Sequence, residues 1–233
     1  MSSVPGTKSQ LAAGALELGI NLLPAQLDQL LAYLDLIQKW NKVYNLTAVR
    51  DAADMLTHHL LDSLAVVLPL RRQLAAMAYA ANGGDKRATS GPLFKLLDVG
   101  SGAGLPGIVI AICCPEILVD CVDTVAKKSA FINQVIVALR LPNLKSIHAR
   151  VENLTEQYDV ISSRAFASLA DFTSWSGKGL KDGGIWLAMK GQYPKPEIDA
   201  LKPNVKVFHV EQLAVPGLDA ERCIVWMRLA SVN

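Results

Sequence analysis

Apolar residues in the first third of the chain recur at helical spacing. Within residues 24–43 they return every three or four positions, which places them on one face of an amphipathic helix. These positions are Leu27, Leu30, Leu31, Leu34, Ile37 and Trp40. The same pattern predicts a shorter helix near residues 11–18 and another over residues 51–67, which Pro69 is expected to end. We therefore predict a helical extension over residues 1–77.

A different pattern follows this extension. Residues 78–92 are rich in Gly, Ala, Ser and Asn and predict a flexible connection. Over residues 93–233, short apolar runs alternate with helical patterns, which predicts an α/β domain with a parallel sheet between helices. The predicted strands lie near 94–99, 117–123, 144–149, 158–163 and 184–190, and the predicted helices near 105–114, 125–140 and 168–180. Residues 204–213 and 221–230 predict an antiparallel hairpin at one sheet edge.

The composition is that of a folded protein. Of 233 residues, 51% are hydrophobic and 19% are charged, which excludes a disordered chain. The formal net charge is +2, which neither indicates nor excludes a nucleic-acid partner. The four cysteines form no CxxC pair, and we interpret them as buried and reduced. They are Cys113, Cys114, Cys121 and Cys223. No signal peptide pattern or membrane-spanning run is found, so we expect a soluble cytoplasmic protein.

Glycines cluster in residues 96–112, "LLDVGSGAGLPGIVIAI". They follow the first predicted strand and open the next predicted helix. At the carboxyl edge of a parallel sheet, such a turn lets a ligand approach the backbone and the free N–H groups of the helix. The glycines are Gly100, Gly102, Gly104 and Gly107.

Two kinds of ligand compete for this turn. Residues 102–107 satisfy GxGxxG, and Asp123 lies about twenty residues further on, as in dinucleotide-binding proteins. However, Asp98 stands directly before the turn and would repel a pyrophosphate. A cationic ligand such as S-adenosylmethionine tolerates that carboxylate, and Asp123 then suits its ribose hydroxyls. Asp123 is also a candidate helix N-cap.

Several further motifs resemble the RsmG (GidB) family of bacterial small-subunit ribosomal RNA guanine-N7 methyltransferases. Besides the glycine turn they are "WNKVYNLTAVRD", "HHLLDS", "VDTVAKKSAFI", "ARVENL", "YDVISSRAFASL" and "WLAMKG". The resemblance implies a Rossmann-like class I methyltransferase with a seven-stranded, mostly parallel sheet and an N-terminal helical extension. It also implies S-adenosylmethionine as donor and a guanine in the 530 loop of 16S rRNA as acceptor. The chain departs from the family in its longer segment 78–92 and in its paired His58 and His59.

Site residues follow from the motif match together with the glycine pattern. The predicted cofactor-binding residues are Asp98, Gly100, Gly102, Gly104, Leu105, Asp123, Val151, Glu152 and Arg164. Arg164 also suits an RNA phosphate, and Phe166 suits stacking on a base. The candidate substrate-binding residues are Arg164, Phe166, Lys190, Asn45 and His59. Further candidate cations for guiding RNA are Lys39, Lys42, Arg50, Lys195, Lys127 and Lys128.

Guanine N7 carries a lone pair and no proton, so its methylation needs no general base. We therefore nominate no catalytic acid or base, and we expect no metal site because no carboxylate stands at metal-ligand spacing from the histidines. The expected partner is 16S rRNA or the small ribosomal subunit, with neither membrane nor DNA. Two alternatives stay open: an NAD(P)-dependent oxidoreductase, and a non-catalytic, cofactor-sensing ribosome-assembly factor.

Overall fold

The first third of the chain is helical. The computed structural model describes residues 6–83 and 94–230. The helices of the extension are α1 (Thr7–Glu17), α2 (Pro24–Tyr44), α3 (Ala52–Met55), α4 (Asp62–Leu64) and α5 (Val67–Ala81), with a π-helical segment (Leu56–Leu61) between α3 and α4. The single helix predicted over residues 51–67 is therefore divided by a π-helical turn.

Strands and helices alternate from residue 95 onwards. The strands are β1 (Lys95–Val99), β2 (Leu118–Asp123), β3 (Leu144–His148), β4 (Tyr158–Arg164), β5 (Leu180–Lys190), β6 (Val205–Leu213) and β7 (Arg222–Leu229). The helices between them are α6 (Gly107–Cys113), α7 (Ala126–Leu139), α8 (Leu169–Ser176) and α9 (Lys195–Asp199). Short 3-10 helices cover Val151–Asn153 and Gly177–Gly179.

The strands form one seven-stranded sheet in the order β3-β2-β1-β4-β5-β7-β6. β1 to β5 pair in parallel, whereas β7 pairs antiparallel with both β5 and β6. The predicted parallel sheet and its antiparallel edge hairpin are thus confirmed. The chain order reverses between β1 and β4, and in sheets of this kind ligands bind outside the carboxyl ends of the strands at such a point.

Some predicted boundaries were wrong. Pro69 lies in the first turn of α5 instead of ending a helix, because backbone N–H groups in a first turn need no intrahelical acceptor. α5 continues to Ala81, so residues 78–81 of the predicted connection are helical; residues 84–92 lie outside the described residues. β5 begins at Leu180, before residue 184, and its register with β4 is irregular there. Two consecutive glycines concealed this start, since glycine is depleted in strands.

Helix α2 runs across the domain from the amino ends of the parallel strands to their carboxyl ends. Near its start, the Gln26 side-chain amide donates to the Ile112 carbonyl at the end of α6 (3.0 Å). Further on, the Tyr33 hydroxyl donates to the Ala103 carbonyl in the glycine turn (2.6 Å). α2 therefore runs from the amino edge to the carboxyl edge of the sheet. Its predicted apolar face is buried at Leu30, Leu34 and Ile37, in one hydrophobic cluster with residues of the sheet.

The four cysteines are buried and free, as predicted. Burial raises the pKa of Cys114 to about 11, so this thiol stays protonated at neutral pH. Within residues 6–83 and 94–230, no helix is both long and apolar enough to cross a bilayer.

Candidate functional site

The glycine turn is fastened to the end of the neighbouring strand β2. The backbone amides of Gly100 and Ser101 both donate to the Val122 carbonyl (2.9 and 3.2 Å). The Gly102 amide donates to Asp123 Oδ2 (3.0 Å). The turn and the acidic residue predicted to share a ligand are therefore joined directly.

Two glycines of the turn are required by close contacts. Gly100 has a positive φ of 65°, and a Cβ added there would lie 2.1 Å from Cδ2 of Phe166. A Cβ on Gly107 would lie 2.5 Å from Cys121 Sγ. Gly107 thus lets α6 pack closely on the sheet, whereas the bare face of Gly100 is covered by an aromatic ring.

Asp98 lies behind the turn and is fully buried. Its Oδ2 accepts a hydrogen bond from the Gly107 amide (3.0 Å), and its Oδ1 accepts one from the Ser162 hydroxyl (2.9 Å). Burial raises the pKa of Asp98 to about 6, although both hydrogen bonds oppose the shift. The carboxylate therefore joins β1, the start of α6 and β4. The sequence predicts that Asp98 binds the cofactor. In the structure both of its oxygens accept internal hydrogen bonds, which support the turn.

A cleft of about 350 Å³ opens at the carboxyl ends of β1, β2, β3 and β4, which is a volume typical of small-molecule sites. Five of the predicted cofactor- and substrate-binding residues line it: Gly100, Asp123, Val151, Glu152 and Phe166. The other lining residues are Val99, Val122, Thr124, Val125, Lys128, Ala149, Arg150, Ala165 and Trp175. Among the predicted cofactor residues, Asp98, Gly102, Gly104, Leu105 and Arg164 do not belong to this lining.

Asp123 ends β2 in the wall of the cleft. Its Oδ1 accepts a hydrogen bond from the Val125 amide (2.9 Å), just before α7. Lys128 Nζ lies 3.5 Å from its Oδ2. Asp123 is not the helix N-cap that the sequence offered as an alternative, because the N-cap of α7 is Val125 and it has no side-chain cap. The side chain instead forms an Asx turn just before α7 and lines the cleft. A carboxylate oxygen has two lone pairs, so further acceptor capacity is available to a ligand hydroxyl.

Arg164 at the end of β4 binds the helical extension. Its Nη1 donates to Asp62 Oδ2 and to the His58 carbonyl, both at 2.8 Å. Arg222 Nε donates to the other oxygen of the same carboxylate (3.0 Å). Asp62 is almost completely buried. The structure thus engages Arg164 in a buried ion pair within the protein, and its binding of a ligand carboxylate or phosphate stays a prediction.

Two candidate substrate residues are also held inside the protein. Lys190 Nζ donates to the Ala167 carbonyl (3.0 Å) and to both carboxylate oxygens of Glu197. His59 is buried, and its Nε2 lies 2.9 Å from Thr47 Oγ1. Burial, followed by the positive charge of Arg164, lowers the pKa of His59 to about 4. Both side chains are thus engaged in contacts within the protein.

The exposed candidates lie on the extension. Asn45, the left-handed residue at the end of α2, is exposed, and its Oδ1 accepts a long hydrogen bond from Arg50 (3.4 Å). Lys39 and Lys42 are exposed on α2. Within residues 6–83 and 94–230, no three His, Cys, Asp or Glu side chains form a group able to hold a metal ion.

Two important residues were missed by sequence reasoning. Trp175 on α8 lines the cleft and is 40% exposed, but a tryptophan in an amphipathic helix is usually part of the core. Tyr33 fixes the glycine turn from α2, and helical periodicity alone shows only that such a residue is buried. Lys128, predicted from the sequence only as a cation that guides RNA, lies in the cleft wall.

Sheet order, glycine turn and cleft together define a class I S-adenosylmethionine-dependent methyltransferase. The predicted fold is confirmed. Among solved structures, TrmN from Thermus thermophilus has a similar fold, with a TM-score of 0.51 and 15% identity, covering 75% of this chain and 53% of that chain.

Comparison of sequences identifies the family. The model of the GidB family, rRNA small subunit methyltransferase G, matches residues 26–225. The ribosomal RNA small subunit methyltransferase G of Polaromonas sp. (strain JS666) is 62% identical over 226 residues, covering 97% of this chain and 95% of the relative. That of Paracidovorax citrulli is 63% identical over 219 residues, covering 94% and 88%. The chain belongs to this family of S-adenosylmethionine-dependent methyltransferases of small-subunit rRNA.

Proposed function

We propose that this chain transfers the methyl group of S-adenosylmethionine to N7 of a guanine in the 530 loop of 16S rRNA. The observation that carries the proposal is the cleft, in which a bare glycine backbone and a strand-ending carboxylate lie side by side. Membership of the GidB family supports rRNA as the substrate over the nicotinamide chemistry that GxGxxG also suggested.

The cleft residues fit the parts of the cofactor. Asp123 suits the ribose hydroxyls, because its carboxylate only accepts hydrogen bonds. Val151 and Glu152 follow β3 and line the same cleft, where they suit the adenine ring. Gly100 brings the main chain of the turn to the cleft wall, beside the ring of Phe166. When bound, S-adenosylmethionine supplies an electrophilic methyl group on a positively charged sulfur.

The chemistry requires positioning more than proton transfer. The N7 lone pair attacks the methyl carbon while the carbon–sulfur bond breaks, and its electron pair stays on sulfur. The positive charge therefore passes from sulfur to the purine, and no proton is released at N7. Orienting two reactants in this way is worth up to ~7–11 kcal/mol of the barrier. The protein's contribution in this proposal is to hold both reactants, and no residue is assigned as acid or base.

The rRNA is proposed to approach along the carboxyl edge, beside the last turns of α2. From Tyr33, which contacts the glycine turn, α2 continues for eleven residues to Tyr44, about 16 Å at 1.5 Å per residue. The exposed face of this segment carries Lys39 and Lys42, and Asn45 follows it. Cations and polar groups there suit a phosphate backbone. Because side chains cannot read the narrow major groove of A-form RNA, the guanine must be unpaired or displaced.

The cellular setting follows from this substrate. A small-subunit rRNA substrate places the proposed activity in the bacterial cytoplasm, with the small ribosomal subunit as partner. We propose no DNA substrate and no membrane association.

Methyl transfer provides the test. Purified wild-type protein with tritiated S-adenosylmethionine and small subunits lacking the modification should label 16S rRNA, and cleavage at 7-methylguanosine should map the label to the 530 loop. Asp123→Asn should reduce labelling and weaken cofactor binding at least ~10-fold, since a hydrogen bond to a charged group contributes about 1.5–3 kcal/mol. The matched control is Asp182→Asn, an exposed aspartate at the start of β5, which should behave as the wild type.

Two outcomes would overturn the proposal. Label in another nucleotide would refute the assigned acceptor. Binding of both cofactor and rRNA without any transfer would favour the non-catalytic assembly factor that the sequence left open.

A further inference from the structure

The ring of Phe166 lies on Gly100 inside the cleft. The close approach of Phe166 Cδ2 to the Gly100 backbone shows that this ring covers the glycine where a Cβ would otherwise stand. It packs against two further aromatic rings, Phe172 and Trp175, with centroids 6.4 and 5.8 Å away and interplanar angles of 79°. Phe166 and Trp175 both line the cleft, whereas Phe172 is buried behind them.

The loop that carries Phe166 is braced on both sides. On one side, Arg164 is held by Asp62 and by the His58 carbonyl. On the other, the Ala167 carbonyl accepts a hydrogen bond from Lys190, which is itself paired with Glu197. Between these anchors, Ala165 adopts a left-handed conformation with φ 51°, which is unfavourable for a residue with a Cβ. Such bracing preorganises the ring, as binding sites require.

The charged groups of the cleft lie on its other side. Asp123, Lys128, Arg150 and Glu152 come from the ends of β2 and β3 and the segments that follow them. On the side formed by β1, β4 and α8, the described lining residues carry no carboxylate; they are Val99, Gly100, Ala165, Phe166 and Trp175. Asp98, behind this side, has both oxygens occupied by internal hydrogen bonds.

We infer that Phe166 is a positioning residue that recognises the positive charge of the cofactor's sulfonium through a cation–π interaction. The inference rests on the proposed function, in which Asp123 takes the ribose and Val151 and Glu152 take the adenine. The sulfonium end is then left to the side of β1 and β4, which offers aromatic faces and no carboxylate. An aromatic face attracts a desolvated cation, and the braced loop keeps this one in place.

The test compares two ligands that differ only at sulfur. S-adenosylmethionine carries a methyl group and a positive charge there, whereas S-adenosylhomocysteine is neutral. Calorimetry with the purified chain should show that Phe166→Leu weakens S-adenosylmethionine binding roughly 2- to 30-fold, the range of cation–π interactions. S-adenosylhomocysteine binding should change by less than about 2-fold, because leucine preserves an apolar wall. Phe166→Tyr, which keeps the ring, should restore the wild-type ratio of the two dissociation constants.

Other results would overturn the inference. An equal change for both ligands means that the ring is only an apolar wall. No change for either ligand, with weaker binding of rRNA, means that Phe166 stacks on the target base as the sequence suggested. Asp123→Asn should weaken both ligands alike, so a failure at Phe166 is distinguishable from a failure of the proposed cofactor site. The unfolding temperature of each variant shows that it is folded.

Discussion

Polar groups have opposite environments in the cleft and at the junction, which is the contact of Asp62 in the helical extension with Arg164 and Arg222. In the cleft, Asp123 and Glu152 line a space that a ligand can enter. At the junction, Asp62 is surrounded by Arg164 and Arg222, and these groups satisfy one another. Both regions contain residue types typical of binding sites. The comparison teaches that a charged residue near a strand end is a ligand candidate only where it lines an open cleft and its partners leave some hydrogen-bonding capacity free.

The largest expected effect comes from adding a side chain at the glycine turn beside the cleft. We expect Gly100→Ala to weaken S-adenosylmethionine binding about 100-fold or more, because the new Cβ meets the Phe166 ring and the positive φ disfavours alanine. Calorimetry measures the loss. Gly183→Ala is the matched control, with φ 76° and nothing within 4 Å of its Cβ; it should reduce stability slightly and leave binding intact. Equal loss in both variants would show that backbone strain alone is responsible.

At the junction, we expect Asp62→Asn to destabilise the fold by about 3–5 kcal/mol, the usual effect of breaking a buried ion pair. The substitution leaves two guanidinium groups without their shared carboxylate. Urea unfolding measures the change. Asp28→Asn removes the exposed pair with Lys8 and should change stability by less than about 1 kcal/mol. If the free energy of unfolding fell equally little in both variants, the stability of the junction would not depend on Asp62.

His59 makes the junction sensitive to acid. Its pKa falls from 6.5 to about 4, so the folded state resists protonation. Its stabilising contribution is therefore present above pH 6.5 and is lost as the pH falls toward 4, by about 3 kcal/mol at most. In His59→Gln, the free energy of unfolding should lose this pH dependence relative to the wild type. The exposed His209→Gln should keep it, and a parallel profile for wild type and His59→Gln would contradict the prediction.

The smallest and most specific change in stability is expected for Ser162→Ala, on the cleft side. The hydrogen bond from Ser162 lowers the pKa of Asp98, which burial nevertheless raises to about 6, so Ser162→Ala should raise that pKa further. Because the folded pKa is raised, stability from this group is full below about pH 4 and is lost as the pH rises through 6. Between pH 5 and pH 8, we expect the free energy of unfolding of the variant to fall by about 1 kcal/mol more than that of the wild type. Unfolding curves at both values measure it; Ser174→Ala, an exposed position on α8, should show no such difference.

Local pattern predicted the fold and the central feature of the site. The strands, the edge hairpin and the glycine turn all follow from periodicity and glycine spacing, because these report burial and backbone conformation. Asp123, which ends a strand, and Val151 and Glu152, which the family resemblance singled out after the next strand, all line the cleft. The junction was not predictable in this way. Arg164 and Asp62 are 102 residues apart, and no local pattern shows that one neutralises the other.

The same limit applies to the residues that the sequence overlooked. Trp175 faces the cleft because α8 packs beside the loop after β4, which depends on tertiary structure. His59 belongs to a motif of the family, but the motif does not distinguish a buried structural histidine from one that meets RNA.

The hydrogen bond from the Tyr33 phenol to the Ala103 carbonyl changes how the amino-terminal helices should be regarded. A shortened protein that began at β1 would retain every strand, yet the main chain of the glycine turn between Gly102 and Gly104 would lose this hydrogen bond. The first helices are thus a structural component of the methyl-transfer centre, and a minimal catalytic fragment must include them.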